Sequence, residues 1–265
     1  MLDDHDIGIS TSAYWDLPLP EALARIAELA PAAEIYSHGH HSLLERRNVR
    51  AVAKAGLPFS VHGPFRHCDI GSPRELQRRA CIRRHRNQMK VAAALGATLY
   101  IVHPDMAHQP EPRTPQVVDA LQHSFQELRR LQERYGLPVA IENMPHNDHS
   151  HFTAPGDLDL QGLGLVLDAG HAALTGTLSQ WLSEPQAPLV HVHLHDNQGA
   201  AHGDLHLPLG AGVIDAGPVL LAARAAGASI TFELTSEADV LASLEHLRSR
   251  GLLSRPPVNA DEVVP

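Results

Sequence analysis

Short apolar runs recur along the chain, each followed by a longer stretch with helical spacing, and this repetition limits the folds open to it. The runs lie at Ile7–Ser10, Ala33–Tyr36, Phe59–His62, Leu99–His103, Val139–Glu142, Gly164–Asp168, Leu189–His193 and Ile230–Glu233. Runs of this length read as strands. Helices are expected at Pro20–Leu29, Pro73–Leu95, Pro115–Tyr135 and Gly217–Ala226, opened by Pro or closed before Gly. A last helix is expected within "TSEADVLASLEHLRSRG". Eight such units suit a single α/β chain folded as a (β/α)8 TIM barrel better than an open doubly wound sheet. No GxGxxG opens the first helix, which also disfavours a dinucleotide-binding fold. The barrel is expected to occupy residues 1–253, with 254–265 as a short frayed tail.

Composition excludes several classes of function. The apolar runs are too short to span a membrane, and "MLDDHDIGIS" is acidic, unlike a signal peptide, so the expected location is cytoplasmic. Cys68 and Cys81 lack CxxC spacing and are read as inert thiols. A formal net charge of −9 argues against a general nucleic-acid binder, because phosphate neutralisation needs Lys and Arg. Arg74, Arg78, Arg79, Arg83, Arg84, Arg86 and Lys90 crowd one helix, which reads as a solvated outer face. No membrane or protein partner is evident. Histidine is the outlier, with 20 in the chain against two lysines.

In a barrel of this kind the C-terminal ends of the strands share one mouth. Reading those ends gives His62, His103, Glu142, Asp168 with His171, His193, and Glu233, and the loop "GDLHLPLGAG" adds Asp204 and His206. One such residue is ordinary, whereas this many at successive strand ends are not. Four carboxylates in one cleft would repel one another and raise their pKa values unless cations compensate them. Imidazole with carboxylate, and no thiolate, suits zinc, manganese or iron.

These motifs ("SVHGPF", "YIVHPD", "AIENMP", "VLDAGH", "VHVHLHD", "GDLH", "TFEL") resemble those of the superfamily that joins endonuclease IV with the xylose-isomerase-like sugar isomerases and epimerases. The resemblance covers roughly Ile7 to Leu247. It implies a core metal site formed by Glu142, Asp168, His193 and Glu233. By likeness to endonuclease IV it implies up to three divalent ions, with zinc first and manganese or iron as alternatives. His62, His103 and Glu142 would hold one; Glu142 would bridge to the core site; and His171, Asp204 and His206 would hold the third. Phe65 sits near where that family places an aromatic side chain. His191 and His195 point to the same side of their strand as His193, displaced by about 7 Å each way. His195 is thus open to a role beside substrate or ligands, or to a place at the rim, while His191 reads as structural.

Two readings of the reaction follow, with Glu142, Glu233 and His171 as the catalytic candidates. The first is metal-dependent phosphoester hydrolysis, acting on a phosphorylated small molecule or abasic DNA. The alternative is isomerisation or epimerisation of a sugar or sugar phosphate, in which Glu142 and Glu233 move protons beside a carbonyl and His171 lies near the substrate oxygens. A non-catalytic metal-binding protein is a third class.

Overall fold

The computed structural model describes residues 7–105, 113–145 and 150–254. Apart from Ser254, the expected tail lies outside the described residues. Strands β1 (Ile7–Ser10), β2 (Ala33–Tyr36), β3 (Phe59–His62), β4 (Tyr100–Val102), β5 (Val139–Glu142), β6 (Gly164–Asp168), β7 (Leu189–Leu194) and β8 (Ser229–Phe232) pair in parallel, in chain order. Pairing of β8 with β1 closes the barrel. Helices α1 (Leu19–Leu29), α2 (Arg46–Ala55), α3 (Glu75–Ala94), α4 (Pro115–Tyr135), α5 (Ala169–Leu174), α6 (Leu178–Ser183), α7 (Ala216–Ala226) and α8 (Glu237–Ser249) follow the strands. None is long and apolar enough to cross a membrane.

Local chemistry sets the helix ends. Thr114, Asp215 and Ser236 cap α4, α7 and α8 by accepting backbone N–H groups. Gly136 and Gly227 end α4 and α7 in the left-handed conformation that a side chain disfavours. Three helices have no counterpart among those expected from the sequence. Of these, α2 (RRNVRAVAKA) is rich in charged and small residues and buries only Asn48 and Val52, so it offers few apolar positions to mark it, while α5 and α6 span six residues each, too short to show a period. Helix α3 starts two residues after the expected Pro73. Its arginines are not all solvated: Arg78 is buried, donating to Glu75, Glu127 and Ser124 and tying α3 to α4.

The main apolar core lies between the strands and the helices, from Ile9 and Ile35 through Val61, Tyr100 and Ile141 to Leu167, Val192 and Phe232. A smaller cluster of Leu99, Ile101, Ala140 and Val166 forms apart from it. The period-two alternation of these strands sends Ser60 and His62, Ala140 and Glu142, Val166 and Asp168, and His191 and His193 to the barrel interior. Side chains at the C-terminal ends of several strands thereby meet at one end of the barrel.

Candidate metal centre

The core of the site is built around His193. Its Nδ1 lies 3.0 Å from Glu142 Oε1 and 2.9 Å from Glu233 Oε2, with Asp168 Oδ2 at 3.8 Å. The potential ligand atoms of Glu142, Asp168, His193 and Glu233 all fall within 4.8 Å of one another. Glu142 turns its other oxygen to a second group: Oε2 lies 3.0 Å from His103 Nε2 and 3.3 Å from His62 Nε2, and the two imidazole nitrogens are 3.1 Å apart. One carboxylate thus faces two donor groups with its two oxygens, the geometry of a bridging ligand. Phe65 covers this second group, stacked on His103 with centroids 4.6 Å apart and edge-on to His62.

A third group gathers His171, His195, Asp204 and His206. Asp204 Oδ2 lies 3.1 Å from His171 Nε2 and 2.9 Å from His206 Nε2. His195 is fully buried rather than at the rim, with Nε2 3.1 Å from both Asp168 oxygens and its ring stacked on His206. Gly170 makes room for it, since a Cβ there would sit inside the His195 ring. His191 lies deeper, its Nδ1 meeting Ser229 Oγ at 2.6 Å.

Several residues that hold these side chains in place are not marked by any local sequence pattern. Asn143 accepts from the backbone N of Asp168 and donates to its carbonyl, bracing β6 against β5. Asp168 also accepts from His171 N, capping α5. Asp196 accepts from the backbone N–H groups of Asn197, Gly210, Gly212 and Ile214. Asn197 donates to Asp204 and accepts from Leu205 N, so the loop after β7 is folded around two side chains that closely follow the strand. His206 stands in that loop at φ 47°, a left-handed conformation unusual for a residue with a side chain.

The electrostatics are those of carboxylates compensated by imidazolium. Burial would push the Glu142 carboxyl up, but His193 and His103 hold it well below the usual range. Glu233 is brought to about 2, with burial again outweighed by His193. Burial opposes charge on His193 and His171, yet the surrounding carboxylates raise both well above the ordinary imidazole value. His206 reaches about 10 against its burial, through Asp204. His103 goes the other way, because burial outweighs Glu142. Protons on these imidazoles and divalent cations are alternative ways of balancing the same carboxylates.

The residues present fit a metal. Glu142 Oε2 and Glu233 Oε2 are buried and aligned in no hydrogen bond. The Nδ1 atoms of His62, His171 and His206 are each occupied by a backbone carbonyl, of Gly63, Asn143 and Glu233 respectively, which leaves their Nε2 atoms to the centre. The donors are nitrogen and oxygen only, a set suited to zinc and its first-row neighbours.

A model of the xylose isomerase-like TIM barrel family matches residues 28–250. The chain belongs to this family. Among solved structures, a D-tagatose 3-epimerase-like protein has a TM-score of 0.81 at 26% identity, covering 92% of this chain and 96% of its own. A protein from Thermus thermophilus, soaked with zinc chloride, has a TM-score of 0.65, also at 26% identity, with coverage of 92% and 97%. An uncharacterized protein of Methanocaldococcus jannaschii is 28% identical over 217 residues, which span 79% of this chain and 84% of its own.

Proposed function

We propose that the protein is a metal-dependent isomerase or epimerase acting on a sugar or sugar phosphate. The observation that carries this is the approach of Glu142 from β5 and Glu233, which follows β8, to the same His193 nitrogen, at 3.0 and 2.9 Å. Two carboxylates from separate strand ends then flank one metal position held by Glu142, Asp168, His193 and Glu233. A divalent metal there, with zinc first among the candidates, supplies Lewis-acid polarisation of a substrate carbonyl.

The rest of the chemistry belongs to the side chains. One carboxylate removes a proton from the carbon beside the carbonyl, and the other returns one, either to the opposite face of that carbon or to the former carbonyl carbon, in which case the neighbouring hydroxyl proton passes to the former carbonyl oxygen. His171, fixed through its Nδ1 by the Asn143 carbonyl, directs Nε2 at the substrate oxygens. Tyr36, Phe65 and His62 form an aromatic wall at one side of the mouth, which suits the apolar face of a sugar ring. Similarity to the D-tagatose 3-epimerase-like protein supports this reading over the hydrolase reading.

A second reading, phosphoester hydrolysis, rests on the donors that a one-metal isomerase does not need. His62 and His103, gathered on Glu142, and Asp204 and His206, gathered near His171, together favour it. Incubation of the metal-loaded protein in deuterated water with ketoses, aldoses and their phosphates tests both. Deuterium incorporation beside the carbonyl, lost in Glu233→Gln, supports the isomerase. Absence of exchange, with cleavage of phosphate esters or abasic DNA that is lost in His206→Ala, would replace it with the hydrolase.

A further inference from the structure

Beneath the metal centre lies a polar layer that the chemistry above leaves unused. Barrel interiors are ordinarily filled by Val, Ile and Leu, yet here Glu34 of β2, Ser60 of β3 and His191 of β7 are buried together. Glu34 Oε1 lies 3.1 Å from His193 Nε2, at the ring nitrogen other than the one that faces Glu142 and Glu233, with neither atom aligned in a hydrogen bond. Its other oxygen accepts from Ser60 Oγ at 2.9 Å and lies 3.1 Å from His191 Nε2. Ser229 Oγ holds the far nitrogen of His191.

His193 is oriented differently from its neighbours. His62, His171 and His206 direct Nδ1 at a backbone carbonyl and keep Nε2 for the centre. For His193 the order is inverted, and the group behind the ring is a carboxylate. A neutral imidazole carries one N–H, so the nitrogen that keeps it and donates a hydrogen bond to a partner leaves the other as the ligand.

We propose that Glu34 is a positioning residue: when a metal takes Nδ1, the Glu34 carboxylate accepts a hydrogen bond from the Nε2–H of His193 and so commits Nδ1 to the metal, with Ser60 Oγ holding the carboxylate and His191 beside it. This rests on the reading that Glu142, Asp168, His193 and Glu233 hold a metal. A carboxylate behind a ligating imidazole also raises its basicity, and loss of such partners costs about 10–100-fold in metal affinity.

The test is zinc affinity, by competition with a chromophoric chelator, in the full chain carrying His62→Ala and His206→Ala so that the four core ligands dominate. Glu34→Ala is expected to weaken zinc binding about 10–100-fold. Glu34→Gln, whose carbonyl can still accept a hydrogen bond from Nε2–H, is expected to recover part of that loss. Thermal unfolding in excess chelator reports whether the variants remain folded. A second measurement needs no substitution of Glu34: nitrogen-15 imidazole spectra of the zinc-loaded wild type should show His193, identified by its loss in His193→Asn, protonated at Nε2.

Zinc affinity unchanged in a folded Glu34→Ala chain, or His193 protonated at Nδ1, would overturn the proposal and leave the core site standing. So would the loss of one whole zinc ion in both Glu34→Ala and His191→Ala with the core ion retained, since the trio would then itself be a metal site. A parent chain that binds no zinc would overturn the proposed function along with it.

Discussion

His85 shows how a single buried side chain couples the fold to pH. Its Nδ1 meets the Tyr100 hydroxyl at 3.1 Å and its Nε2 lies 3.7 Å from Cys68 Sγ. Burial, aided by the nearby Arg84 charge, pushes its pKa down to about 3. The unfolded chain protonates this residue near pH 6.5. Between those values the unfolded state binds more protons, so stability is full above about pH 6.5 and falls as pH drops towards the folded value, with a limiting slope of about 1.4 kcal/mol per unit. Urea unfolding of wild type and His85→Gln at pH 7, 6 and 5 should show wild type losing stability more steeply. Parallel curves would mean that His85 is protonated in the folded chain. By type this histidine is no different from the candidate metal ligands; its place within α3, away from any strand end, sets it apart. His195 shows the converse, because alternation along β7 placed it on the correct side, but only the fold of the following loop decides between rim and interior.

At the level of elements, strand ends were legible and loop architecture was not. His62, Glu142 and Asp168 close their strands because each strand is a short apolar run with an abrupt turn after it, both visible as local pattern. Asp196 works at long range. Its two oxygens collect amides from residues up to 18 positions away, and nothing local marks an aspartate as the centre of such a loop. Gly212 approaches so closely that a Cβ would collide with Asp196 and the Asn197 carbonyl. Replacing Asp196 with Ala leaves several buried amides without an acceptor, at a cost of about 1–3 kcal/mol for each that water cannot reach. We expect Asp196→Ala to lower stability by about 2–4 kcal/mol in denaturant unfolding. The loss should also reach Asp204 through Asn197, lowering any metal content at the His171, Asp204 and His206 group while the four core side chains stay in place. Equal loss of all metal would mean that the loop supports the whole mouth rather than one group.

Across the whole molecule, the repeated strand–helix pattern implied the closed barrel, because eight units of that length leave few other ways to cover both faces of a parallel sheet. The polar interior was not implied: Glu34 sits in an ordinary-looking "AAEIY" run, and its partners come from strands far away in sequence. The proposed core ligands come from β5 through β8, so a metal bound there would cross-link half of the barrel through carboxylates that otherwise repel. Metal binds the folded chain far better than an unfolded one, in which these residues are scattered, and stabilises it by RT ln(1 + [metal]/Kd). At a free concentration of one hundred times Kd this is about 2.7 kcal/mol. A chain of this size shifts its melting temperature by about 2–4 °C per kcal/mol. Removal of metal with a chelator should therefore lower the melting temperature by about 5–10 °C, and added zinc should restore it in a concentration-dependent way. In Glu233→Gln the restoration should need a higher zinc concentration, because the core site loses an anionic ligand. A melting temperature indifferent to chelator and zinc, in protein shown by elemental analysis to change its metal content, would mean that the donors are spread over elements already held rigid by the apolar core.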